Sequence, residues 1–299
     1  MVNSEWLRAF VAFAETMNFT HAAARLHLSQ PALHVQVRKL SESLQVPLYV
    51  RRGRALSLTD EGRKVLAFAR EQVERNEQLV DDVRGTRRDE SVVLAAGEGT
   101  FLYLLGDALH AFQRTKHAQL RVLTRARDEA ISAVLLGEAQ LAVTVVDDVP
   151  AQLIARRIAK VGGAVVMSKA HPLARKRAVA IQDLRSEALI APAAGRPLRA
   201  ALARAWSNAN ADLSPAVEAN GWELMMRFAA LGMGVAVVND FCVPPRGTVR
   251  RRLIGLPAVH YQLLRLRDRR PSAAVQALEA AIVASAEGAT ARRTRRPSP

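Results

Sequence analysis

The chain of 299 residues has one cysteine, Cys242. No disulfide can form within it, which fits a reducing compartment. No apolar run approaches the roughly 20 residues of a membrane-crossing helix. The opening residues, "MVNSEWLRAFVAF", lack the basic start, apolar core and small-residue cleavage site of a secretory leader. A cytoplasmic protein with no membrane partner is therefore expected. The histidines show no metal-ligand spacing, and Cys242 has no histidine near it in sequence, so it reads as a buried, inert thiol. "GMGVA" (Gly232 to Ala236) follows a helical pattern and precedes a strand, the reverse of a dinucleotide fingerprint. "GEGT" (Gly97 to Thr100) lacks a phosphate-loop lysine. No cofactor, metal or catalytic centre is expected. Acidic residues are also scarce, 28 against 43 basic, for a net charge of +15. Such a balance favours polyanion partners. Residues 1–64 hold nine basic and five acidic residues; from Arg246 onward there are twelve arginines and three acids. The tail "ATARRTRRPSP" reads as solubilising or as a non-specific nucleic-acid arm.

What the chain does contain begins with three closely spaced helical patterns. "SEWLRAFVAFAETM" repeats Trp6, Phe10, Phe13 and Met17 as an amphipathic stripe, with Ser4 as expected cap. Thr20 is placed to cap "HAAARLHL", whose alanines permit a close helix crossing. Ser29 is placed to cap a third helix with Gln30 and Pro31 in its first turn. Leu33, Val37, Leu40 and Leu44 form its buried face, and Ala32 lies in the same first turns. Gln30, His34, Gln36 and Arg38 remain outside, free to meet base edges and phosphates. This is the pattern of a helix-turn-helix, with a generic three-helix packing unit as the bland alternative. "PLYVRRGRALSLTDEG" then supplies a hairpin with Arg51, Arg52 and Arg54 around Gly53. A wing of that kind can set arginines against phosphates.

Those residues carry a resemblance. "FVAFAETMNFTHAAARLHLSQPALHVQVRKL" followed by "PLYVRRGRALSLTDEG" resembles the N-terminal winged helix-turn-helix of the LysR-type transcriptional regulators. The matched elements are Phe19, "AAARLHLSQPAL" (Ala22 to Leu33) and "LTDEG" (Leu58 to Gly62). Ser29, Gln30, Pro31 and Ala32 match the start of the family's recognition helix, and Arg51 and Arg54 its wing. The chain departs from the family pattern at His34, Val35, Gln45 and Asn239.

Residues 1–60 are thus expected to form the DNA-binding domain and 61–90 a linker helix with a hinge. Thr59 caps that helix in this reading, with Asp60 and Glu61 in its first turn. Leu66, Ala69, Val73, Asn76, Val80 and Val83 alternate three and four apart between charged residues, as a dimerising coiled-coil seam does. The alternative is one long helix packed on its own domain. From Ser91 onward strands and helices alternate, which argues for parallel sheets with crossover helices. The expected class is α/β.

The family resemblance implies an effector domain over 91–299, similar to periplasmic solute-binding proteins. Lobe I would take about 91–162 plus 266–290, lobe II about 163–265, and a basic disordered tail 291–299. Between the lobes a small, anionic effector is expected. Thr100 and Phe101 open a helix after the first strand, Arg125 follows the second, and Arg196 opens a helix on the opposite lobe. Asn220 and Trp222 complete the wall. Double-stranded DNA, the effector, a second copy in a dimer or tetramer, and RNA polymerase are the partners the resemblance implies. Two rival classes stay open: an enzyme or solute carrier on the α/β lobes, and a constitutive architectural DNA binder with a vestigial pocket.

Overall fold

The computed structural model describes residues 2–52, 55–84, 91–115, 118–207 and 213–295. Three helices open the chain: α1 (Ser4–Thr16), α2 (Phe19–Arg25) and α3 (Gln30–Leu44). Asn3, not Ser4, caps α1, accepting the Glu5 N–H at 2.7 Å. Asn18, not Thr20, caps α2, accepting the N–H groups of Thr20 and His21 at 2.9 and 3.1 Å. Asparagine serves a cap as well as serine does, and in both cases it stands one or two places earlier. Ser29 caps α3 as expected, through the Ala32 N–H at 3.3 Å.

Phe10, Phe13, Leu33, Val37 and Leu40 are buried together where the three helices cross. Phe13 stacks on Phe19 at 4.1 Å and meets the edge of Tyr49 at 5.0 Å. Tyr49 begins the antiparallel hairpin of β1 (Tyr49–Arg52) and β2 (Ala55–Leu58), so these rings seat the hairpin on the helices. Helix α4 (Asp60–Arg84) follows. The Thr59 hydroxyl accepts the Gly62 N–H at 2.8 Å and donates to the Pro47 carbonyl at 2.7 Å. A Cβ on Gly62 would lie 1.9 Å from the Leu48 carbonyl oxygen, so only glycine fits under the hairpin.

One sequence expectation fails on α4. Leu66, 2% exposed, and Ala69, fully buried, sit in the N-terminal domain's own core, where α4 packs on α1. They are unavailable to a partner helix. Val73 is half-buried, while Asn76, Val80 and Val83 are exposed. Phe68 and Leu79, absent from the expected seam, are exposed as well. Phe68, Leu79 and Val83 lie within about one-sixth of a turn of each other at 100° per residue, so the outward apolar stripe runs through them.

The first lobe comprises β3 (Ser91–Ala96), α5 (Glu98–Thr100), a π-helical turn Phe101–Leu105, α6 (Gly106–Arg114), β4 (Gln119–Thr124), α7 (Arg127–Leu135), β5 (Leu141–Val145) and β6 (Leu153–Val161). The second holds β7 (Gly163–Ser168), β8 (Ala178–Ala180), β9 (Leu189–Pro192), α8 (Pro197–Ser207), β10 (Val217–Ala219), α9 (Trp222–Ala230), β11 (Val235–Asn239) and β12 (Thr248–Ile254). The chain then returns with β13 (Val259–Leu266) and α10 (Ala273–Arg295). The sheet orders are β4-β3-β5-β13-β6 and β10-β9-β11-β7-β12-β8. Strands β3, β5, β9 and β11 are apolar and almost wholly buried, as strands covered by helices on both faces must be.

Three refinements follow. Strand β13, expected in the second lobe, belongs to the first-lobe sheet, because it pairs with β5 and β6. Both sheets are mixed rather than parallel: β13 runs antiparallel to its neighbours, and β7 to β11 and β12. Helix α10 continues through Arg295, so 291–295 are helical where a disordered tail was expected.

Arg70 of α4 ties the two halves of the molecule together. Its guanidinium donates to the Leu136 carbonyl at 2.5 Å and lies 3.4 Å from Glu15 of α1 and 3.7 Å from Glu138. The linker helix is thereby pinned to the first lobe at the end of α7.

Candidate functional site

The recognition surface is built on α3. Gln30, His34 and Arg38 are spaced four apart and all exposed, with Ser29 and Pro31 exposed at the helix start. Ala32 is half-buried. The His34 ring lies 4.9 Å from Phe19, so the α2 aromatic supports it from behind. Arg38 is 3.4 Å from Glu42 one turn on, an exposed pair worth little. Gln36 is half-buried. It stands two residues from both His34 and Arg38, hence 200° around the helix and off their face. Thr20 is exposed with its hydroxyl not engaged in the α2 cap. Arg51 is exposed on β1 opposite Leu56. Only the backbone of Arg52 is described, and Arg54 lies outside the described residues.

The second candidate is a cleft of about 370 Å³ between the lobes. Strands β4, β3 and β5 run parallel in the first lobe, and β10, β9 and β11 in the second. The carboxyl ends of all six open into the cleft, the position where α/β sheets collect ligands. Five of the six sequence-predicted residues line it: Thr100, Arg125, Arg196, Asn220 and Trp222. Phe101 does not. Its side chain packs against the first-lobe core, and its N–H is engaged by the Gly97 carbonyl at 3.2 Å. Sequence placed it correctly at a strand-to-helix turn; the chain there takes a π-helical turn and the ring joins the first-lobe core.

The floor is a polar network that sequence reasoning missed. Thr100 is 3% exposed and hydrogen-bonded to the Tyr261 hydroxyl, which accepts from Asn239 Nδ2 at 2.9 Å. Burial raises the Tyr261 phenol above its usual range, although the Thr100 and Asn239 bonds pull the other way. It stays a neutral donor and acceptor. Three widely separated segments meet here, so no local sequence pattern could join them. Thr144 adds a third buried hydroxyl.

Charge in the cleft is mixed. Arg125, Arg127 and Arg196 face Glu98 and Glu129. The Glu129 carboxylate accepts the Ala126 N–H at 3.1 Å as part of the α7 start. Arg127 is paired with Asp128 at 3.0 Å. The wall is closed by contacts across the lobes. A Cβ on Gly99 would fall 1.9 Å from the Trp222 ring, so the indole rests directly on first-lobe backbone. Trp222 also meets Phe241 at 5.2 Å. Tyr103 on the first lobe donates to Glu223 on the second.

Two family models match this chain. The one described as "Bacterial regulatory helix-turn-helix protein, lysR family" covers residues 4–63, and "LysR substrate binding domain" covers 86–287. The chain belongs to the LysR family of transcriptional regulators. Among its relatives is the RuBisCO operon transcriptional regulator of Allochromatium vinosum, 26% identical over 242 residues, with 80% of each chain covered. A full-length OxyR variant from Pseudomonas aeruginosa has the same fold, with a TM-score of 0.71 at 19% identity, covering 95% of this chain and 98% of that one. CbnR, solved in complex with its target DNA, superposes with a TM-score of 0.56 at 21% identity over 95% of this chain and 99% of its own. As a LysR-family protein, the chain is a DNA-binding transcriptional regulator modulated by a small-molecule effector. It is not an enzyme, and membership also displaces the constitutive architectural binder. No described helix is long and apolar enough to cross a membrane.

Cys242 is buried beneath α9 and β11, near Arg250, whose guanidinium donates to the Cys242 carbonyl at 2.7 Å. Burial pushes its thiol up to about 12. Because the thiolate is the reactive form, the folded protein should alkylate negligibly with iodoacetamide at neutral pH. Mass spectrometry should find the thiol modified only after denaturation. Rapid labelling of the native chain would mean the site opens.

Proposed function

We propose that α3 reads base edges through its exposed N-terminal face while the β1–β2 wing holds the flanking backbone, and that the interlobe cleft takes a small anionic effector. The carrying observation is that three strand carboxyl ends from each lobe converge on one cleft, with Arg125 on one side and Arg196 on the other. A carboxylate or phosphate spanning them would bind both lobes at once, and charge-assisted bonds to arginine are strong and directional. Effector binding then acts by favouring one arrangement of the lobes, and so one arrangement of the DNA-bound oligomer. In this reading the chain works in the cytoplasm as a dimer or tetramer joined through α4, and its output is contact with RNA polymerase.

The DNA half of the reading has a direct test. Gln30→Ala should lower affinity for the specific operator by about 1–3 kcal/mol and spare random DNA. Arg51→Ala should weaken both and flatten the salt dependence. Competition binding against operator and random duplexes separates the two. Equal loss on both duplexes for Gln30→Ala would remove its base-reading role.

A further inference from the structure

A second hollow, about 260 Å³, lies where the linker helix meets the first lobe. It is lined by Glu71 and Arg75 of α4, Ser91 at the start of β3, and the segment from Arg265 through Val275. Four arginines stand in its wall, Arg75, Arg265, Arg269 and Arg270, against a single carboxylate, that of Glu71. Glu71 is itself ion-paired with Arg75 at 2.7 Å. The interlobe cleft, with three arginines and two glutamates, is less positive.

Two buried polar atoms at this hollow lack a hydrogen-bond partner among the described residues: Ser91 Oγ and Arg265 Nε. Glu279 Oε2 approaches Arg265 Nε only to 3.6 Å, an ion pair without a hydrogen bond. Buried donors left unmade are costly and call for an occupant. Helix α10 starts at the same place. Ser272 caps it, with its hydroxyl accepting the Val275 N–H at 3.3 Å. A helix of this length turns free first-turn amides and a positive dipole end toward whatever lies before it.

We propose that this hollow is a binding site for a small phosphate-bearing ligand, separate from the interlobe cleft. Guanidinium groups on several sides, one hydroxyl and a helix N-terminus suit a tetrahedral dianion, which accepts bonds in all directions. The volume admits a phosphate with a small substituent and little more. Such a ligand would touch Arg75 on α4 and Arg269 and Arg270 on the first lobe. It would therefore fasten the linker helix to the effector domain beside the Arg70 clamp, and the angle between DNA-binding and effector domains would depend on it.

Calorimetric titration of the full chain with inorganic phosphate, in chloride buffer at physiological ionic strength, tests the site. Wild type should take up phosphate, and Arg196→Ala, which disables the interlobe cleft, should keep the uptake that belongs to the hollow. Arg269→Ala combined with Arg270→Ala, both on a surface segment, should bind at least tenfold more weakly with an unchanged unliganded melting temperature. Arg75→Ala should weaken binding as well, since the ligand bridges to α4. The proposal is overturned if wild type takes up no phosphate at millimolar concentration, if the double variant binds like wild type, or if Arg75→Ala has no effect. Loss of uptake in Arg196→Ala alone would assign phosphate to the cleft instead and equally reject the second site.

Discussion

Thr100→Val should leave effector-free DNA binding within about twofold of wild type and abolish the response to effector. Thr100 is buried in the cleft floor, bonded to the Tyr261 hydroxyl, and stands at the first turn of the helical stretch that follows β3. Valine keeps the shape and removes the hydroxyl. Tyr261 retains its bond from Asn239, so the fold survives. What disappears is a polar group placed to meet a ligand that contacts both lobes. A tenfold difference in effector affinity corresponds to about 1.4 kcal/mol, within reach of a single bond to a charged ligand. Thr100→Ser, which restores the hydroxyl, should recover most of the response. Operator affinity measured with and without effector for the three proteins decides the point. A Thr100→Val protein that responds like wild type would place the ligand elsewhere.

Leu79→Glu together with Val83→Glu should convert the protein to a monomer. Val83 is 79% exposed and Leu79 61%, on a helix whose inner face is already occupied by α1. Apolar side chains of that size, aligned along one outward stripe with Phe68, are what a partner helix would cover. Carboxylates in the same places would face each other across the pair. Operators recognised by dimers carry two half-sites about one helical turn apart or a multiple of it. Loss of the pair removes the effective concentration of the second reading head, and operator affinity should fall by about 10²–10⁴-fold. Sedimentation would show the change of mass, and binding to an isolated half-site should be nearly unaltered. A variant that stays dimeric would move the interface off α4. By contrast, substituting Leu66 should unfold the DNA-binding domain rather than dissociate the pair, because that side chain is core.

The sequence disclosed most where structure is local. The spacing of Leu33, Val37 and Leu40, the Ser29 cap and the Thr59 cap depend on residues within one or two turns, and each stands where periodicity placed it. The strand-to-helix turns were legible for the same reason, but the sharing of one cleft by Thr100, Arg125 and Arg196 was an expectation from the family resemblance; all three line it. Errors arose where burial is decided by tertiary packing. Leu66 and Ala69 fit a heptad as well as Val83 does, and only the docking of α1 turns them inward. Phe68 and Leu79 escaped because each sits next to a seam position, Ala69 and Val80, that fits the heptad equally well, yet three turns of helix bring them into line. Strand β13 resembles any strand of the second lobe until its pairing with β5 and β6 is seen. The Tyr261–Asn239–Thr100 network joins residues far apart in sequence, with no periodicity to announce it.

The central claim is that sequence-selective DNA binding by α3 is controlled by a small anion in the interlobe cleft. Footprinting the DNA upstream of the chain's own coding sequence tests it most directly. Purified wild type and Thr100→Val would be compared with and without a panel of small carboxylates, phosphates and amino acids. The account predicts protection of two half-sites in register with the helical repeat. One anionic compound should change the protected length for wild type and not for Thr100→Val. Protection without sequence preference, a cationic compound producing the change, or an identical response from Thr100→Val would contradict it.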